Sequence, residues 1–384
     1  VKKGERTVKS ERVGVVGAGI MGLAHAWSAA KLGHRVTVFE RSPRALGASI
    51  RNFGMIFPLA QPESLSQLAE FSRSAWLELA EQAGLWVQAC GSIHVAYRPD
   101  EWKVLQEFYE RCQSGRLKPH LQLLSSDECL KRSPAIREQG LLGGLFSDLE
   151  LRVEAGSALQ VIADWLQQRF PIEFLFQTPV TTVDSSGLTV ASGQRFALDR
   201  VLICSGADLQ TLFPDEFASL GLVLCKLQMM RTVRQPDNWD LGPHLAGGLT
   251  LRHYPTFRHC SSLGQLIERI AQESPELDRY GIHVLVSQDR QGRIILGDSH
   301  EYGPDLPPFH SVEIDRLIMR ELQGMVRLPS WELESHWSGV YAKPAAPGPS
   351  TVSPLPNVYL CTGVGGSGMT LAFGIADQNW KDWS

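Results

Sequence analysis

Gly17, Gly19 and Gly22 fall in the spacing GxGxxG, and an acid, Glu40, follows about twenty residues later. Residues of these types make room and accept hydrogen bonds. The first glycine permits a tight turn, the second lets a diphosphate reach the backbone, and the third lets a helix pack closely on a strand. A carboxylate at position 40 can accept hydrogen bonds from both hydroxyls of an adenosine ribose. The chemistry is dinucleotide binding. It needs a strand, a helix and a second strand to hold it. Val13, Val15 and Val16 supply a short apolar run suited to a strand buried on both faces. Residues from Ile20 to Leu32 read as the helix, with Gly33 as its C-terminal cap, and Arg35 to Glu40 read as the second strand.

Two further strand ends carry small residues. Val201 to Cys204 opens into Ser205, Gly206 and Ala207, and Val358 to Cys361 opens into a segment holding Gly363, Gly365, Gly366 and Gly368. Glycines raise the unfolded-state entropy that folding must overcome, so three such ends suggest one long cofactor approaching the backbone repeatedly. Between Glu40 and Pro62 the chain is too irregular for a strand and too full of breakers for a long helix. Its Gly47, Ala48, Ser49, Arg51, Asn52 and Gly54, beside apolar Phe53, Met55, Ile56 and Phe57, offer groups for a diphosphate and the edge of a flavin ring.

With 384 residues, a net charge of −4 and 43% hydrophobic residues, the chain has no basic footprint for nucleic acid or an anionic membrane surface. A small-molecule partner is expected. No apolar stretch approaches about 18 residues, and the polar lead-in VKKGERTVKSER lacks the apolar core of a secretory signal. Cysteines 90, 112, 129, 204, 225, 260 and 361 are scattered and form no CxxC pair. Reduced thiols in a cytoplasmic protein are expected, with Cys204 and Cys361 as core packing. The eleven histidines show no HExxH or comparable spacing, and no metal is expected. Nothing sets an oligomeric state.

Residues 63–82 read as one amphipathic helix, and the strand-helix unit after it reaches the capping pattern Ser125 to Glu128. A Gly-punctuated β region, a helix over 157–169 and the strands IEFLFQTPVTTVD and LTVAS lead back to the first unit. From Lys226 to Gly303 the reading is mostly β, with GGLTLRHYPTF as a strand, DRQG as a hairpin turn and a helix over 263–271. A helix over 312–326 and the strand LESHWSGVYAKP follow. The expected fold is α/β, α+β overall. A Rossmann-like FAD-binding domain would comprise residues 1–85, 151–223 and 331–384. A mainly antiparallel β-sheet domain for substrate would comprise 86–150 and 224–330.

The stretches VGVVGAGIMGLAHAWSAAKLGHRVTVFE, GASIRNFGMI, VLICSGADLQTL and LCTGVGGSGMTLAFG resemble, in order and spacing, the FAD-dependent D-amino-acid, glycine and sarcosine oxidase superfamily. By that resemblance Gly17, Gly19, Gly22, Glu40, Arg41, Ser49, Val180, Gly206, Gly363, Gly366, Ser367, Gly368 and Met369 contact FAD, with Glu40 on the ribose and Val180 at the adenine. Ile20, Met21, Arg51, Asn52, Gly54, Met55 and Ser205 complete the expected cofactor wall. The segments GASIRNFGMI and LTLRHYPTF are similar to a subgroup found in bacteria that degrade aminophosphonates. The resemblance implies hydride removal from the carbon beside an amine nitrogen, delivery to the flavin, imine hydrolysis to an aldehyde and amine, and dioxygen or another electron acceptor. Where the family clamps a substrate carboxylate with arginine in a W-S-G-hydrophobic-Arg-Pro stretch, this chain has WSGVYAKP, with Tyr341 in the arginine's place. Thr370 stands where sarcosine oxidase has a lysine, and Thr250 where it has the lysine that helps dioxygen react. No match exists for the cysteine that attaches flavin covalently, so dissociable FAD is implied.

No side chain is assigned as an acid or base. Candidates for substrate recognition are Arg252, His253, Tyr254, Tyr341, Lys343 and Thr370, with Arg51 and Asn52 on the far side of the ring. On a strand, at most two of Arg252, His253 and Tyr254 could reach one pocket. Together the candidates offer cations and hydroxyls to a tetrahedral dianion such as 2-aminoethylphosphonate or its N-methyl derivative. Glycine, sarcosine or a D-amino acid is the alternative substrate. A nicotinamide-dependent dehydrogenase and a non-catalytic flavoprotein are alternatives of other classes.

Overall fold

The computed structural model describes residues 9–344 and 350–383, so residues 1–8 of the polar lead-in lie outside the described residues. The β-branched run at residues 12–16 becomes the strand Arg12–Val16 at the centre of a six-stranded sheet. Strands Arg35–Phe39 and Arg200–Ile203 flank it in parallel, with Val15 opposite Val38 on one side and Leu202 on the other. Ile172–Leu175 extends the sheet beyond Arg35–Phe39, and Val358–Thr362 extends it beyond Arg200–Ile203. The antiparallel strand Ser350–Leu355 closes that edge. Neighbouring strands depart in opposite directions from Arg12–Val16, which makes its carboxyl end the crevice where an open α/β sheet accepts ligands.

A second, nine-stranded sheet runs mainly antiparallel. Its longest strand, Val223–Arg234, pairs on one side with Arg293–Gly297 and on the other with Leu333–Lys343. The last of these strands was expected with the nucleotide-binding segments, but ten residue pairs hold it to Val223–Arg234 instead. Helices Pro99–Arg111, Leu263–Glu273 and Val312–Met325 bury apolar residues in the same core, among them Val104, Leu266 and Leu317. The fold is therefore mixed α/β, with a Rossmann-like sheet of discontinuous segments and a mainly antiparallel sheet. No helix among the described residues is long and apolar enough to cross a membrane.

The segment GGLTLRHYPTF is not a strand. Leu249–His253 is a short helix, followed by a turn of 3-10 helix at Pro255–Phe257. Leu249, Thr250 and Leu251 are all buried, and the Thr250 hydroxyl donates to Gly247 O at 2.6 Å as the helix begins. A Cβ on Gly248 would stand 2.1 Å from the Glu101 Cδ, so the glycine leaves room for that side chain beside the start of the helix.

The last glycine-rich segment is held by two crossing helices, Ser66–Ala83 and Gly368–Asp382. The Trp76 indole donates to the Met369 carbonyl at 2.8 Å, and Gly374 N donates to the Ser72 Oγ at 2.8 Å. At the crossing a Cβ on Gly374 would lie 2.2 Å from Leu68 O and 2.6 Å from its Cα. Backbone cannot yield as a flexible side chain can. Gly374→Ala should therefore cost about 1–3 kcal/mol in denaturant unfolding despite alanine's better helix propensity. Unchanged or increased stability would show that the two helices are not in this contact.

Candidate functional site

The carboxyl ends of the parallel strands are joined by hydrogen bonds across the turns that leave them. Gly17 N donates to Phe39 O and Cys204 N to Val16 O, both at 2.8 Å, and the Thr362 hydroxyl donates to Gly206 O at 2.9 Å. Gly17 has φ +104°, and a Cβ there would stand 2.4 Å from Cys204 O. A Cβ on Gly22 would stand 1.9 Å from Gly17 O, so this glycine serves helix-to-strand contact. Glu40 is fixed by its neighbours: Oε2 accepts from Ala18 N and Oε1 from Ser42 N, each at 2.9 Å. Ser49 Oγ accepts from Ile20 N at 3.1 Å and ties the irregular loop to the helix start. Asn52 builds that loop, its amide donating to Ala48 O and Ser49 O while its Oδ1 accepts from Gly54 N.

These turns form one wall of a cavity of about 760 Å³ that continues to the nine-stranded sheet. Every expected cofactor residue lines it except Gly22 and Gly54. Gly54, at φ +68°, turns its Cα toward Val153 O. Three strand ends that present backbone without side chains, with the Glu40 carboxylate at the edge, suit a long dinucleotide. The covalent alternative has no support in the wall itself. Its cysteines, Cys204 and Cys361, are buried, and burial raises the Cys361 thiol well above its usual value.

At the other end, His253, Tyr254, Tyr341 and Lys343 line the cavity, as do Arg51, Asn52 and Thr370. Arg252 does not. Its guanidinium pairs with Asp278 and donates to Ile282 O at 3.1 Å, which commits it to holding the short helix. Thr370 lines the wall, but its Oγ1 accepts from Phe57 N at 2.9 Å, and Arg51 Nη1 donates to Ser338 O at 3.2 Å. Tyr254 and Tyr341 have their phenol pKa values raised well above the usual value by burial, so both are hydrogen-bond donors at neutral pH. Lys343 Nζ donates to the Tyr302 Oη at 2.8 Å, and burial lowers its ammonium pKa.

Four lining residues carry no sequence signal of their own: Arg258, His283, Asp298 and His300. His283 and Asp298 lie opposite each other, exchanging backbone hydrogen bonds of 3.3 and 2.9 Å. Burial raises the Asp298 carboxyl well above the usual range and lowers His300 to about 4. A polar run, GDSH, ending an otherwise apolar strand was the available hint.

Residues 12–378 match the DAO family, FAD dependent oxidoreductase. A glycine oxidase of Geobacillus kaustophilus (strain HTA426) is 29% identical over 209 residues, an alignment covering 51% of this chain and only 54% of the relative. The crystal structure of glycine oxidase from Geobacillus kaustophilus superposes with a TM-score of 0.73 at 20% identity, covering 97% of this chain and 94% of that one. L-alpha-glycerophosphate oxidase from Mycoplasma pneumoniae, solved with FAD bound, gives 0.75 at 17% identity, covering 98% and 96%. These likenesses extend the fold over both sheets, and the glycine turns that the family match spans are those that wall the cavity. The chain belongs to the DAO family of FAD-dependent oxidoreductases.

Proposed function

We propose that this protein oxidises the carbon–nitrogen bond of a small primary or secondary amine whose anionic group is not an α-carboxylate. The carrying observation is one cavity lined both by glycine turns with Glu40 and by the donors Lys343, Tyr341 and Tyr254. Gly17, Gly19, Ser49, Gly206 and the 363–369 turn would hold the dinucleotide, with Glu40 at its ribose. The six-stranded sheet then serves the cofactor and the nine-stranded sheet the substrate. Bound FAD supplies a two-electron acceptor for the hydride leaving the carbon beside the nitrogen. The chain's own task is to place that carbon and hold the far end of the molecule.

By the resemblance to the amine oxidases, Tyr341 stands where they carry arginine, and it offers one hydroxyl where a guanidinium would make a bidentate contact. Lys343 stands two residues on, at the cavity wall. An anion one or two carbons farther from the amine reaches a cation there more readily than an α-carboxylate does. An aminophosphonate such as 2-aminoethylphosphonate or its N-methyl derivative meets this description, with dioxygen as the expected acceptor. The fit of FAD and the choice of amine are tested separately.

Gly22→Val should yield protein without flavin, because the branched side chain must displace Gly17 O. Glu40→Ala should weaken FAD by roughly 1.5–3 kcal/mol per lost charge-assisted hydrogen bond, about ten- to a hundredfold for one bond. Flavin absorbance per chain and fluorescence titration read both, and normal FAD content in both variants would remove this assignment.

Anaerobic flavin bleaching should be fastest with the aminophosphonates in a panel that includes glycine, sarcosine and D-amino acids. Lys343→Ala should lower kcat/KM for the anionic amine about thirtyfold or more, mostly through KM, at unchanged FAD content. Arg252→Ala should leave KM within about threefold, since that guanidinium faces Asp278. Efficient oxidation of glycine or sarcosine with inert aminophosphonates would return the chain to amino-acid chemistry.

A further inference from the structure

The substrate end of the cavity contains a group of ligand atoms that amine oxidation does not require. His283 and Asp298 lie just outside the strands Leu285–Gln288 and Arg293–Gly297 and exchange two backbone hydrogen bonds. His300 lies two residues beyond Asp298, and His253 ends the short helix above them. The ring centroids are 4.0 Å apart for His253–His283, 4.4 Å for His253–His300 and 4.9 Å for His283–His300. One ring nitrogen from each histidine lies within 4.8 Å of those of the other two. His283, Asp298 and His300 are 3%, 4% and 5% exposed.

The hydrogen bonding does not explain why these groups are together. Both ring nitrogens of His283 and the Oδ1 of Asp298 are buried without a hydrogen bond, although His283 Nε2 and Asp298 Oδ1 are only 3.2 Å apart. A carboxylate at this distance from one ring nitrogen can orient the imidazole and leave the lone pair of the other nitrogen free. His300 Nδ1 lies 3.2 Å from Gly281 O, which can only accept, so Nδ1 carries the proton and Nε2 keeps a free lone pair. Orientation of a ligating imidazole by a carbonyl on its other nitrogen is the usual support of a metal-bound histidine. Burial, followed by the histidines' mutual repulsion and by Lys343 and Arg252, holds the His253 and His283 rings neutral, and Arg258 opposes a proton on His253 as well. The other titratable groups facing the cluster are Tyr254, which packs edge-on to His253 and His283, and Tyr302, stacked on His300. Neither competes for a cation as a proton-bearing imidazole would.

We propose that His253, His283 and His300 bind a divalent cation of the zinc class, positioned to take the anionic group of the substrate. Three imidazoles suit a borderline cation with a fourth position open to an oxygen ligand. Such a cation would replace the arginine clamp that Tyr341 cannot supply. The role in substrate binding rests on the amine-oxidase reading; the binding of metal does not.

The test uses untagged, FAD-loaded full chain. An exposed second trio, His310, Asp315 and His336, could also take up zinc, so all samples carry His336→Gln. After dialysis against EDTA, calorimetric titration with zinc chloride should show one site per chain of submicromolar affinity. His283→Ala and His300→Ala should each weaken it at least about a hundredfold, with flavin content and absorbance spectrum unchanged. Zinc removal should raise KM for the anionic amine tenfold or more, and zinc should restore it. No zinc uptake, or equal uptake by the flavin-loaded variants, overturns the site. Zinc uptake with a chelator-insensitive KM overturns its role, as does a metal-free enzyme whose KM simply falls with pH through imidazolium formation. If no amine bleaches the flavin, the amine-oxidase reading fails while the calorimetric result stands on its own.

Discussion

Everything at the cofactor end depends on backbone approaching backbone where the parallel strands stop. Gly17 lies so close to Cys204 O, and Gly22 so close to Gly17 O, that neither position tolerates a Cβ. This double contact sets the angle at which the helix Ile20–Lys31 leaves the sheet. Ala18 N reaches Glu40 and Ile20 N reaches Ser49 because the turn is this tight. The acid and the irregular loop are thereby registered to the same few ångströms of backbone. The second and third strand ends join through side-by-side pairing, with Ile203 opposite Leu360. Distant segments of chain thus meet at one edge without a dedicated linker.

The substrate end follows different physics. The paired strands Val223–Arg234 and Leu333–Lys343 place Cys225 opposite Tyr341 and Val223 opposite Lys343. Tyr341 is thereby aimed at the 365–367 turn, with its Oη 3.4 Å from where a Gly366 Cβ would sit. A strand of the second sheet thus packs against the last glycine turn of the first. The side chains that can meet a substrate are fixed in relation to the cofactor wall by an extended, register-locked ladder. That geometry suits a reaction in which position matters more than proton transfer.

The two ends differ in how far the sequence announces them. Glycine spacing, the terminal acid and the strand-helix-strand pattern are local, because each residue's role is set by neighbours within about twenty positions. They emerge in the fold as expected. The helix Leu249–His253 was not legible, because L-T-L alternates as a strand would and a helix of little more than one turn is too short to show a period of its own. Misassigning it placed Arg252 at the substrate, whereas Asp278, 26 residues away, captures that side chain. The cluster of His253, His283 and His300 was unreadable for the same reason. Its members become neighbours through backbone pairing of His283 with Asp298 beyond the strand ends, a long-range property that no short spacing encodes.

Burial links these observations. The cavity wall on the substrate side is poor in water-exposed polar atoms, so phenols stay protonated, imidazoles stay neutral and the Asp298 carboxyl resists ionisation. In such surroundings an incoming anion loses hydration and must recover it from fixed positive charge or hydrogen-bond donors. Lys343 is one such group, but burial already lowers its ammonium pKa, and it is tied to Tyr302. A single partly desolvated ammonium is a weak match for a dianion with three oxygens. Phenol donors add direction without charge. The neutral imidazoles add lone pairs, which repel an anion unless they first bind a proton or a metal ion. Proton binding would place positive charge on rings only 4.0–4.9 Å apart. A divalent cation instead binds all three lone pairs at once and leaves the combined charge facing the open side of the cavity.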